Sequence, residues 1–128
     1  MNPAITSILD HDQVVDITTT GRRTGDPRRI EIYLHVFGGR LIISGTPSRR
    51  TRAWLHNVTA DPAVTIHVTK GPHAGTDLAA TARVVSDEAE RRALLEHVAR
   101  TWRRSDVDVM VELSPLIELT LAGGVAAA

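Results

Sequence analysis

No cysteine occurs among the 128 residues, so a disulfide framework, a cysteine-ligated zinc finger and an iron–sulfur cluster are excluded for want of thiolates. A reducing compartment fits that absence. Tyr33, Phe37, Trp54 and Trp102 are the whole aromatic complement, too few to line a sheet with base-stacking rings. Lysine is reduced to Lys70, and no apolar run approaches the ~20 residues of a membrane helix. Met1–Leu9 lacks the basic start and apolar stretch of a secretion signal. The expectation is a cytoplasmic chain with no membrane span.

What remains is the composition of a globular domain, 42% hydrophobic. At this length folding buries roughly two thirds of the unfolded chain's surface, enough for one core. Residues 1–121 are expected to form a single domain, and residues 122–128, which have nothing to pack, a disordered tail. Basic and acidic side chains number 15 each, yet between Gly21 and Arg52 eight arginines face only Asp26 and Glu31. Planar guanidinium forks concentrated in this way suit phosphate or carboxylate. A single-stranded nucleic-acid-binding barrel is the weaker alternative, since a neutral total gives little attraction for nucleic acid, and no nucleic-acid partner is expected.

Period-two alternation dominates the first two thirds of the chain. In Arg28–Phe37, Ile30, Ile32, Leu34 and Val36 share one face, while Arg29, Glu31, Tyr33, His35 and Phe37 share the other. Gly38-Gly39 supplies a two-residue turn, and Arg40–Gly45 returns with Leu41 and Ile43 inward. Further strands are expected at Val14–Thr20, Ala63–Thr69, Asp77–Val85 with Val84 inward, and Leu116–Leu121. A helix from a Ser86 or Asp87 cap to about Arg104 carries the stripe Leu94, Leu95, Val98, Ala99 and Trp102, with Asp87–Arg91, Glu88–Arg92 and Glu96–Arg100 at i,i+4. A shorter helix is expected over Arg50–Ala60, capped by Ser48 or Thr51, and a third over Asp106–Leu113. Six short strands with two or three helices point to a mainly β, six-stranded antiparallel barrel, because closure removes exposed edges.

Two segments carry candidate chemistry. Thr18–Arg29, TTTGRRTGDPRR, joins two strands through Gly21 and Gly25, both able to adopt positive φ, and presents four arginines. Loop amides and guanidinium groups together make an anion site; the plainer alternative is an exposed, solubilising hairpin loop. Ser44–Asn57, SGTPSRRTRAWLHN, leaves a strand and enters a helix whose first turn has unpaired N–H groups beside Arg49, Arg50 and Arg52. Trp54 reads as core and Asn57 as a satisfied buried amide on the same helix face. The six histidines are scattered, with no i,i+4 helical pair and no H-E-x-x-H, so a metal centre is not expected.

The run T-T-T-G-R-R-T-G-x-P-R from Thr18 to Arg28, the hairpin, Ser44 at its end, Ala53-Trp54-x-x-Asn57 and Asp61-Pro62 together resemble the deazaflavin-dependent nitroreductase family. The match runs in order from about Thr18 to Arg83. The resemblance implies an FMN-binding type of split β-barrel, a homodimer as the usual assembly, and coenzyme F420, with FMN as the alternative, passing hydride to a quinone-like, nitroaromatic or other conjugated small-molecule acceptor. It places coenzyme contacts on Ser44, Arg49, Arg50, Trp54 and Asn57, with Arg22, Arg23 and Arg28 of the arginine turn facing the phosphate and acidic tail. Two departures stand out. Gly45 replaces the lysine common after the strand-end serine, and Trp102–Met110 has no tyrosine where the family often does. A non-catalytic coenzyme-binding protein is therefore the alternative to a reductase. His35, Tyr33, His67 and His56 are the candidate proton donors, and no catalytic residue is assigned.

Overall fold

A computed structural model describes residues 8–122. Six strands, β1 (Gln13–Thr20), β2 (Pro27–Phe37), β3 (Arg40–Ser44), β4 (Ala63–His67), β5 (Asp77–Val84) and β6 (Leu116–Leu121), close into an antiparallel barrel in the order β1-β2-β3-β6-β5-β4. Closure comes from β1 pairing with β4, Ile17 opposite Ile66, so each strand has two partners and no edge remains. The barrel and its helices match the expected class. Most of the expected 122–128 tail lies outside the described residues; Ala122 still donates its N–H to Ala79 O.

The alternation does what its period requires. Val15, Ile17, Leu34, Leu41, Ile43, Val64, Ile66, Ala80, Ala82, Ile117 and Leu119 fill the barrel interior. Gly38 and Gly39 turn β2 into β3 at φ of 57° and 79°, a conformation that costs a side chain with a Cβ, and Phe37 pairs with Arg40. One assignment shifts at the rim. Val84, expected inward, is exposed, and Val85 is buried instead because its N–H turns to Leu116 O beneath the helices.

Three helices stand among the described residues: α1 (Ala53–Ala60), α2 (Glu88–Trp102) and α3 (Val107–Leu113). Asp87 caps α2 by accepting from Glu90 N at 2.9 Å. Leu94, Leu95, Val98 and Ala99 then join Ile42, Met110, Val111 and Leu116 in a second apolar cluster outside the barrel wall. This layer also covers the C-terminal end of β2, so His35, expected on the face opposite the aliphatics, is wholly enclosed, while Arg29 and Glu31 on the same face stay exposed. The expected i,i+4 pairs of α2 do not form: Arg92 reaches Asp108 on α3, and Arg91 turns inward to backbone carbonyls. Helix α1 starts at Ala53 rather than Arg50, because Ser48 Oγ bonds the Arg50 backbone and holds a turn there.

Glu90 of α2 joins Glu118 of β6, Arg40 of β3 and Arg83 of β5 in four contacts of 2.6–2.7 Å. Hydrogen bonds from Arg83 and then Arg40 hold the Glu90 carboxyl down at about 2, and Arg40 lowers Glu118 in the same direction. A carboxyl whose folded pKa is depressed contributes stability above its unfolded pKa and loses it as pH falls towards the folded value. Unfolding free energy is therefore expected to fall by about 1–2 kcal/mol from this group between pH 5 and 2, allowing for partial exposure. Urea titrations across that range measure the fall, and Glu90→Gln is expected to flatten it.

Candidate functional site

The loop between β1 and β2 is tied by short backbone bonds, Gly21 N–H to Asp26 O and Gly25 N–H to Gly21 O, both 2.8 Å. Gly25 takes the expected left-handed conformation, φ 76°. Gly21 does not; space favours it instead, since a Cβ there would lie 3.1 Å from Asp26 O, close enough that the loop would have to give by a few tenths of an ångström. The loop's second anchor is Asn57 of α1. Its buried amide accepts the Arg22 N–H at 3.1 Å and donates to Thr19 Oγ1 at 3.0 Å, fixing the loop against the barrel. Asn57→Ala strands both partners and is expected to cost about 2 kcal/mol in a urea unfolding curve.

Between this loop and α1 opens a cleft of about 400 Å³, within the size range of small-ligand sites. Arg22, Arg23 and Arg28 line it, and among the described residues none of the three makes an ion pair. Arg29, also on the wall, is held by Asp16 at 2.8 Å. Ile30, Ala53 and Trp54 supply apolar wall, and Trp54 is both core and lining. Exposed guanidinium groups over an apolar floor have the chemistry that suits an anionic, partly aromatic molecule.

Not every expected contact residue reaches this cleft. Arg49 and Arg50 line a second hollow of about 480 Å³, with Leu55, Val85 and Pro115. The segment before α1 runs along the chain that enters β6, Gly45 N–H to Pro115 O at 3.1 Å and Ser48 N–H to Leu113 O at 3.2 Å. That course puts the two arginines in the other hollow. Ser44 is buried at the end of β3, its hydroxyl bonded to Gly45 O. Gly45 has a steric reason: a Cβ would come within 2.7 Å of Pro115 Cγ, so the lysine position is closed in this chain.

None of the four expected proton donors lines the arginine cleft. His67 is bonded to Thr18 Oγ1 at 2.6 Å and Asp77 Oδ1 at 2.8 Å. Burial pushes His35 down to about 4 against an opposing pull from Asp12, which leaves its imidazole neutral. Asp12 and His97 lie beside it, a grouping that residue spacing gave no sign of.

The architecture is that of the split-barrel proteins. Over 95% of this chain and 81% of the other, it superposes on a conserved hypothetical protein from Mycobacterium tuberculosis at TM-score 0.71 and 15% identity. A putative pyridoxamine 5'-phosphate oxidase from Listeria innocua matches at 0.69 and 15%, over 94% and 92% of the chains. An F420-H2 dependent reductase matches at 0.64 and 20%, over 84% and 93%. The sequence narrows this class: residues 2–113 match the model of the F420H(2)-dependent quinone reductases, and the chain belongs to that family. By that membership it is an F420-dependent reductase, and F420 is its cofactor. Among the described residues no helix is long and apolar enough to cross a membrane.

Proposed function

We propose that the chain passes hydride from reduced F420 to a quinone-like or nitroaromatic acceptor, with the arginine cleft gripping the coenzyme's acidic end. Three guanidinium groups in one cleft, with no ion pair among the described residues, carry this reading. They match a carrier with a phosphate and an acidic tail, which offers several separated anionic groups to separate guanidinium forks, whereas FMN gathers its charge on one phosphate. The donor set therefore fits the coenzyme.

When bound, reduced F420 supplies the hydride. Arg22, Arg23 and Arg28 bind and orient the anionic end, Asn57 holds the loop that carries them, and Trp54 with Ile30 gives the ring an apolar surface that sheds water. Among the described residues the cleft has no titratable lining beyond arginine, so none of its side chains supplies the proton that completes a quinol. Stopped-flow mixing of protein, reduced F420 and a quinone or nitroaromatic, followed by the coenzyme's visible absorbance, is expected to show acceptor-dependent oxidation. Saturable binding without turnover across the acceptor panel would favour the non-catalytic coenzyme carrier.

A further inference from the structure

We propose that Asp12, His35 and His97 form a mononuclear site for a divalent first-row transition-metal ion of the zinc class, with water completing the coordination on the solvent side. The three residues come from the approach to β1, from β2 and from α2, and their ligand atoms all lie within 4.8 Å of one another. Asp12 Oδ1 is engaged by Val36 N–H at 2.7 Å, which turns Oδ2 towards the imidazoles. Oδ2 stands 3.6 Å from His97 Nε2 and 3.9 Å from His35 Nδ1, too far for a hydrogen bond. Ligands about 2.0–2.1 Å from a tetrahedral zinc are separated by about 3.4 Å, so the two carboxylate–imidazole gaps need only a small contraction around an ion, and the two imidazoles, within 4.8 Å of each other, close by rotation of the partly exposed His97.

The nitrogens lack any other use. His35 is wholly buried, and among the described residues neither of its ring nitrogens has a hydrogen-bond partner; His97 Nε2 is likewise buried and without a partner there. Burying polar atoms without partners costs free energy that a coordinate bond repays. Two imidazoles and one carboxylate select a borderline ion such as zinc or cobalt over calcium or magnesium, which prefer all-oxygen sets. The Val36 amide supplies the outer bond that orients the carboxylate. Asp12 and His97 remain about a fifth exposed, which leaves an entry path and room for water. The site lies apart from the arginine cleft, since Arg28 and His35 are seven residues apart on β2, about 24 Å. Its role is to clip α2 to the barrel, and it stands or falls independently of the coenzyme reading.

Cobalt titration of the full chain without coenzyme provides the test. A saturating visible band, one ion per chain, bleached by added zinc and accompanied by a higher melting temperature, is the expected result. Asp12→Asn and His97→Gln are each expected to weaken cobalt binding at least about tenfold. Should Asp12→Asn fail to fold by circular dichroism, His97→Gln, a partly exposed helix position, decides alone. Absence of a visible band in the parent chain, or a band unchanged in a folded His97→Gln variant, overturns the proposal and assigns any binding to the scattered surface histidines.

Discussion

Chains carrying Arg22→Ala and Arg28→Ala together are expected to bind reduced F420 at least about a hundredfold more weakly than the parent, by fluorescence titration. Each charge-assisted bond to an anion contributes about 1.5–3 kcal/mol, and two are lost, which gives about 3–6 kcal/mol. Both side chains are exposed and make no ion pair among the described residues, so the unfolding curve is expected to stay near that of the parent. Arg49→Ala with Arg50→Ala is the matching control. Those arginines line the other hollow and act on the cleft only through screened, longer-range charge, so a much smaller loss is expected. Reversed magnitudes would move the coenzyme's acidic end to the hollow beside Pro115.

Arg91→Met is expected to cost about 3–5 kcal/mol of folding stability. The guanidinium donates to Val111 O and Val85 O at 2.9 Å and to Ser114 O at 2.6 Å, with a longer bond of 3.4 Å to Met110 O. It thus satisfies carbonyls at the C-terminal end of α3 and the connections around it, where a helix leaves its last carbonyls without intrahelical donors. Burial lowers the guanidinium pKa from its ordinary value, the sign of a charge partly withdrawn from water. Methionine fills similar volume but donates nothing, so several carbonyls lose a charged partner at about 1.5–3 kcal/mol each, with incomplete additivity. Urea unfolding measures the loss, and Arg91→Lys is expected to recover part of it. A methionine variant within about 1 kcal/mol of the parent would show that water replaces the guanidinium.

The strands were legible because each obeys a local rule: alternation in β2, two glycines at one hairpin, inward aliphatics on β4 and β6. The arginine turn and Trp54–Asn57 were legible for a similar reason, since the spacing within each segment is short and its chemistry contiguous. Where distant segments meet, the pattern failed. Arg91 looked like a surface partner for Asp87 until α3 presented its carbonyls, and the alternation of β2, which set His35 opposite the aliphatic face, gave no sign that α2 would cover it. Asp12, His35 and His97 are 23 and 62 residues apart in sequence, so only the barrel and its helix layer bring them together. One cationic groove became two hollows because the course of residues 45–52 depends on Leu113 and Pro115, which no local spacing encodes.

Trp54 belongs both to the barrel core and to the wall of the arginine cleft, while Trp102, the last residue of α2, stands beside Tyr33 and His35. The two indoles thereby make an optical gauge and its internal standard. With Trp102 changed to phenylalanine, the remaining emission reads the occupancy of the cleft alone; with Trp54 changed, it reads the seating of the long helix and ignores the coenzyme.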